Sequence, residues 1–259
     1  MTWARLALTG AVGAWIGYAW LPHLVTPACV WRGPRSARRI ALTFDDGPDP
    51  AWTPRILESL AARSARGTFF LVGQRAARAP DVVRAIAPAG HEVANHGWSH
   101  RSLWLSGPAR TEVEIGRSHL LLSELTGREP RHFRPAWGMV NAAMFVALRR
   151  WKERCVFWSI QPEGLRPRVA AGQAAHVIRR AHPGAIIDLH DAEGVAAAPA
   201  RLLEALPAMI DGLRDAGYTL VTVAELLERA DDAGARLRLV PEATRAGGGP
   251  GTGGTRHLP

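Results

Sequence analysis

The sequence predicts a single α/β domain, a barrel of about seven parallel strands each followed by a helix. Three observations predict it. Strand-like apolar runs alternate with helix-like runs along most of the chain. The length of 259 residues suits one domain of this class with short extensions, and 47% hydrophobic residues can supply its core. Ligand-type or charged residues also recur at the ends of the strand-like runs, as the catalytic face of a parallel barrel requires.

The first strand reads from Ile40 to Phe44. Thr53 and Pro54 form a helix start, Ile56, Leu57 and Leu60 give that helix an apolar stripe, and Gly67 closes it. Thr68 to Val72 is the second strand, Asp81 to Ala89 a helix, and Glu92 to Asn95 the third strand. A long helix follows from Thr111 to Thr126, ending at Gly127. Further strands are expected at His132–Arg134, Val156–Ser159, Ala185–Leu189 and Tyr218–Val223. The helices between them are expected at Asn141–Trp151, Val169–Ala181 and Pro199–Ala216, with a short final helix after Thr222. Residues 38–229 form the expected domain, and residues 230–259 are a Gly-, Pro- and Arg-rich flexible tail.

Residues 1–31 read as a membrane anchor or signal segment. From Leu6 to Trp31 there is no Asp, Glu, Lys or Arg, and a bilayer-crossing helix takes roughly 17–25 residues. Trp15, Tyr18 and Trp20 suit an interfacial belt, whereas Pro22 and His23 weaken the far end. A cleaved signal peptide is the rival, but it lacks a clean small-residue cleavage site, and Thr26-Pro27-Ala28-Cys29 is a poor lipoprotein box. An uncleaved transmembrane or signal-anchor helix is therefore expected. Arg32, Arg35, Arg38 and Arg39 beyond it favour a cytoplasmic domain by the positive-inside rule.

The net charge is +9, with Lys152 the single lysine. That charge could draw an anionic partner, but an Arg-rich composition bias explains it as well. No basic run with interleaved aromatics marks a nucleic-acid binder. Cys29 and Cys155 are read as two free thiols, with a disulfide open to them in an oxidising compartment.

The polar residues at strand ends carry the function. Strand one runs into Asp45-Asp46, strand three into His96 with His100 four residues on, strand four into Arg134, and strand six into His190-Asp191. Each alone has an ordinary explanation: a turn, an incidental histidine pair, a surface arginine, a satisfied core histidine. Their joint placement at one barrel face does not.

Thr43-Phe44-Asp45-Asp46-Gly47-Pro48, His96-Gly97-Trp98-Ser99-His100, Arg134-Pro135-Ala136-Trp137-Gly138 and Leu189-His190-Asp191 resemble, in order and spacing, the motifs of NodB-type polysaccharide deacetylases, carbohydrate esterase family four. The resemblance covers about Arg39 to Leu227. It implies a distorted (β/α)7 barrel and a mononuclear site for a divalent metal ion, zinc first and cobalt or another first-row ion next. Asp46, His96 and His100 are implied as metal ligands, Asp45 as general base, Arg134 as the group holding Asp45, and His190 as general acid. Trp137 is implied to stabilise the oxyanion through its N–H and to line the acetyl pocket, with Leu189 beneath the acetyl methyl.

The sequence departs from the family's Trp-Ser-x-Asp-x-x-Asp-Trp segment, reading Trp158-Ser159-Ile160-Gln161-Pro162-Glu163-Gly164-Leu165. In the family that Asp tunes the catalytic histidine. Glu163, one position earlier, could supply the carboxylate, or could be a solvent-facing loop residue. Asp188, an unusual charge near a strand end, could pair with an arginine.

The expected activity is removal of N-acetyl groups from amino-sugar glycans by a metal-dependent hydrolase of linear amides. A lipid-linked sugar is the alternative substrate, and a non-catalytic glycan-binding member of the fold is a second alternative. A phosphate-acting metalloenzyme is disfavoured, since neither a second metal cluster nor a Gly-rich phosphate loop is present. The expected protein is a membrane-attached monomer with its catalytic domain on the periplasmic or extracellular side, against the arginine count.

Overall fold

The computed structural model describes residues 3–163, 169–193 and 197–228. Gly164-Leu165 and the expected tail lie outside them. Among the described residues are seven strands: β1 (Arg39–Asp45), β2 (Thr68–Leu71), β3 (Glu92–Asn95), β4 (His132–Phe133), β5 (Arg154–Cys155), β6 (Ile186–His190) and β7 (Thr219–Val221). All pair in parallel, in the order β5-β4-β3-β2-β1-β6, and β7 pairs with the first residues of β1. The result is a curled parallel sheet with helices on its outer side.

β5 lies just upstream of the expected Val156–Ser159. That apolar run is shared out among neighbours instead of forming one ladder. Phe157 N–H donates to Val30 at 2.7 Å and Ser159 N–H to Ile186 at 3.0 Å, while Ile160 bridges Ile187. Residues 159–160 thereby join the β5 side of the sheet to β6.

The helices are α1 (Trp3–Trp15), α2 (Thr53–Ala61), α3 (Gly73–Arg78), α4 (Pro80–Ile86), α5 (Pro108–Thr126), α6 (Ala142–Trp151), α7 (Ala170–Arg180) and α8 (Ala198–Asp215). Proline in the first turn starts α2, α4, α5 and α8, where its missing N–H costs nothing. Asn141 caps α6, its side chain accepting from Met144 N–H at 2.9 Å. α3 escapes sequence reading because its six residues are too few to show a periodic stripe.

Strand alternation divides the interior in two. Ile40, Leu42, Phe44, Ile187 and Leu189 face outward and pack with Ile56, Leu60, Leu206 and Leu213 of the helix layer. Ala41, Phe70, Ala94, Val156, Ile186 and Val221 fill the concave side. Thr43 and Asp45 of β1, and Asp188 and His190 of β6, share that concave side by the same alternation, and are paired Thr43↔Asp188 and Asp45↔His190.

The expected spanning helix is not formed. α1 ends at Trp15, a π-helical turn covers Ile16–Trp20, and a 3-10 helix covers Leu21–Ala28. Pro22 cannot donate to an i−4 carbonyl, so the α-helical ladder does not continue through it. Among the described residues, no helix is long and apolar enough to cross a membrane. The segment instead lies against the domain: Tyr18 Oη donates to Ser106 O at 2.8 Å, and Trp15 meets Trp104 edge-on.

Gly184 sets the approach of this segment to β6. Its φ is +80, Gly33 N–H donates to its carbonyl at 2.7 Å, and a Cβ there would lie 2.3 Å from Gly33 O. Gly184→Ala should therefore lower stability by about 2 kcal/mol or more, read as a fall in Tm of roughly 5 °C or more. An unchanged melting curve would refute that packing.

Candidate metal centre and catalytic cleft

β1 ends in two carboxylates that the backbone sends apart. Asp46 has φ +74, a left-handed turn that separates its side chain from that of Asp45. The turn is held by a residue that sequence reading left without a role. Asp191 is fully buried; one carboxylate oxygen accepts from Gly47 N–H at 3.1 Å and the other from the Thr53 hydroxyl at 2.6 Å. Burial, reinforced by the charges of Asp46 and Asp45, pushes its pKa up to about 7 against the opposing Thr53 and Gly47 hydrogen bonds. A Cβ on Gly47 would lie 2.3–2.7 Å from that carboxyl group, so only glycine fits.

The segment after β3 brings in the two imidazoles. Asn95 accepts from Gly97 N–H at 2.9 Å, and Glu114 of α5 accepts from Ser99 N–H at 2.8 Å and its hydroxyl at 2.6 Å. From α3, Gly73 N–H and Gln74 N–H donate to Gly97 O and Trp98 O, both at 2.8 Å. The unforeseen helix thus clamps the histidine loop. His96 Nδ1 lies 2.7 Å from Arg134 O. Donating there fixes the tautomer and leaves Nε2 as a free ligand atom.

Asp46, His96 and His100 come together as expected. Their candidate ligand atoms lie within 4.8 Å of one another. His100 Nε2 and His96 Nε2 stand 2.9 and 3.4 Å from Asp46 Oδ1. That buried oxygen has no well-formed hydrogen bond among the described residues. An oxygen faced by two imidazole nitrogens yet left unbonded suits a shared cation, and the donor set is that of a first-row divalent ion. Burial opposes ionisation of Asp46, but the adjacent His100 and His96 outweigh it and hold the carboxyl well below its usual range. Burial likewise opposes charge on His96, but Asp45 and Asp46 raise its pKa.

Arg134 joins the other elements. It is fully buried, and its Nη1 lies 2.7 Å from Asp45 Oδ1, 2.8 Å from Thr43 Oγ1 and 3.1 Å from Asp188 Oδ1. Nη2 donates to Phe157 O at 3.0 Å, and the guanidinium lies 4.1 Å from the Phe70 ring centroid. Asp188 therefore does pair with an arginine. Burial, then the nearby Asp45 charge, push the Asp188 pKa up to about 7 against Arg134 and His190.

His190 is held by Glu163, whose carboxylate accepts from Nδ1. Glu163 is buried, not a solvent-facing loop residue. Burial works against a charged His190, but Asp188, Glu163 and Asp45 outweigh it and push its pKa up to about 10. Trp137 has φ +53, is 61% exposed, and its ring meets His100 edge-on at 4.7 Å. Leu189 departs from expectation. It pairs with Phe44 and packs in the helix-side core. The period of two places Asp188 and His190, not Leu189, toward the cleft.

A parallel α/β sheet with a carboxylate and two imidazoles at its mouth, beside a buried Asp–Arg pair and a Glu–His pair, defines a hydrolase of the metal-assisted class. The polysaccharide deacetylase family model matches residues 32–156. A peptidoglycan-N-acetylglucosamine deacetylase of Bacillus cereus is 34% identical over 202 residues, covering 76% of this chain and 92% of that protein. A peptidoglycan-N-acetylmuramic acid deacetylase of Bacillus subtilis is 33% identical, covering 73% of this chain and 38% of that longer protein. The crystal structure of a peptidoglycan N-acetylglucosamine deacetylase bound to a naphthalenyl N-oxidanyl-benzamide superposes with a TM-score of 0.73 at 30% identity, covering 77% and 92% of the two chains. The chain belongs to the polysaccharide deacetylases, carbohydrate esterase family 4, and is a hydrolase of N-acetyl groups on amino-sugar glycans.

If Asp46, His96 and His100 share an ion, Asp46→Asn should weaken zinc retention by about tenfold or more while the fold persists. Equilibrium dialysis with elemental analysis measures it. Wild-type retention in Asp46→Asn would place the ion elsewhere.

Proposed function

We propose that this protein deacetylates the glycan strands of peptidoglycan, with a divalent ion, zinc by preference, held by Asp46, His96 and His100. The observation that carries the chemistry is the meeting of four strand ends on one buried arginine: Asp45 from β1, Asp188 from β6, Arg134 after β4, and Phe157 after β5. The substrate class is supported by relatives that act on both amino sugars of that polymer.

When bound, the ion supplies Lewis acidity, polarising the acetamide carbonyl and lowering the pKa of water. Arg134 fixes Asp45 through Oδ1. Its Oδ2 lies 3.8 Å from His96 Nε2, on the side of the ligand cluster, and there takes a proton from the attacking water. Protonated His190 gives its Nε2 proton to the departing amine, while Glu163 accepts from Nδ1 and stabilises the imidazolium. Trp137 borders the mouth over His100, and its N–H is the assigned partner of the developing oxyanion. The N-terminal segment attaches the protein to the outer side of the membrane. Supporting this, Trp15, Ile16, Trp20, Leu21 and Leu24 all remain exposed.

Purified protein is expected to release one acetyl per modified sugar from peptidoglycan fragments, followed by mass spectrometry, and Asp45→Asn is expected to abolish release without loss of metal. Full activity in Asp45→Asn would remove it as the base. Because the His190 pKa is raised, its donor form persists through neutral pH and is lost as pH rises toward about 10. Glu163→Gln should depress kcat and move the basic limb of the pH–rate profile to lower pH by about one unit or more, with metal content intact. An unmoved limb would end the tuning role of Glu163.

A further inference from the structure

We infer that Cys29 and Cys155 are a disulfide-forming pair that covalently fastens the N-terminal segment to the platform beneath Arg134. Val30 N–H donates to Cys155 O at 2.9 Å, and Phe157 N–H donates to Val30 O at 2.7 Å. This is a short parallel ladder with Val30 opposite Val156. Its register sets Cys29 opposite Cys155, with both side chains on one face. Neighbouring strands lie about 4.8 Å apart, inside the roughly 4.4–6.8 Å Cα separation that a disulfide spans. Cys29 is extended (φ −79, ψ 164) and packs against the apolar cluster that contains Cys155. Both are thiols in the structure, and the chain has only these two cysteines, so no rival intramolecular pairing exists.

Cys29 is half-buried and accessible whereas Cys155 is buried; the neighbouring Cys155 thiol lowers the Cys29 pKa, while burial raises that of Cys155. Cys29 is thus the entry nucleophile. Its thiolate attacks one sulfur of a disulfide donor, such as glutathione disulfide or a disulfide-carrying oxidoreductase, and expels one donor thiolate. Cys155 gives up its proton and attacks the Cys29 sulfur of the mixed disulfide, expelling the second. The protein pair loses two electrons and two protons, and the donor disulfide becomes two thiols.

The cross-link closes a long loop, which is where a disulfide most constrains the unfolded chain. On the folded side it secures residues that already support the cleft. Trp31 stacks on Phe157 with centroids 4.2 Å apart, and Val156 O and Phe157 O both accept from Arg134. Cys155 therefore sits directly before the two residues, Val156 and Phe157, whose carbonyls hold Arg134.

The test uses the full-length protein, incubated with glutathione disulfide, acid-quenched, then denatured at mildly alkaline pH and alkylated with iodoacetamide so that any free thiol reacts. The expected product is a monomer that takes up no alkyl group, whose non-reduced digest links the Cys29 and Cys155 peptides. It should melt roughly 5 °C or more above the reduced protein. Cys29→Ser and Cys155→Ser should each melt alike with and without the oxidant. Free alkylation of both thiols, formation of only glutathione adducts or intermolecular dimers, or equal melting of oxidised and reduced protein would each overturn the proposal.

Discussion

The cleft is organised around one buried cation. A guanidinium taken wholly out of water is costly unless its donors are all answered. Arg134 is answered by Thr43, Asp45 and Asp188 on one nitrogen, by Phe157 O on another, and by Val156 O on the third. Those partners come from β1, β6 and the chain after β5, so the site cannot form until the sheet has curled. The backbone of the same residue does separate work: its carbonyl holds His96 Nδ1. One position thus orients Asp45 through its side chain and His96 through its main chain.

Two carboxylates crowd that single arginine, and they do not share it equally. Asp45 is 2.7 Å away and Asp188 is 3.1 Å away, and burial with the Asp45 charge pushes the Asp188 pKa up to about 7. A similar division separates the two ends of the cleft. Near the ligand cluster, the imidazoles stabilise an ionised Asp46; near β6, carboxylates stabilise a charged His190. Groups driven in opposite directions within one pocket are what metal binding and proton donation at neutral pH demand.

The parts of this arrangement that the sequence disclosed are those governed by short range. Apolar runs and breakers located six of the seven strands, because strands buried on both faces read as short continuous apolar stretches bounded by turn residues. The fifth was expected at Val156–Ser159 and forms just upstream, at Arg154–Cys155. The candidate Asp46–His96–His100 cluster was legible because the motifs that carry these residues keep the order and spacing of the family they resemble. The Glu163–His190 contact was open from sequence, because nothing local says whether a loop carboxylate folds inward. Leu189 was misplaced by one step of the pleat: pairing with Phe44, fixed by register against β1, turns it to the helix side and Asp188 to the cleft. Asp191 was invisible for a related reason, since its partners Gly47 and Thr53 lie far off in sequence.

The N-terminal segment shows how far tertiary contact can redirect a composition signal. A charge-free run reads as a bilayer span only while nothing else accepts its apolar surface. Here the π and 3-10 turns around Pro22 bend the run so that Tyr18 reaches Ser106 and Trp15 reaches Trp104, near the turn that follows His100. Val30 and Trp31 then continue into the edge of the sheet at Val156 and Phe157. The segment therefore touches the cleft's supports twice, once beside the histidine loop and once behind Arg134. A tether to a surface through these residues would set the orientation of the cleft as well as its location, because Trp15 packs on Trp104 and Trp31 stacks on Phe157.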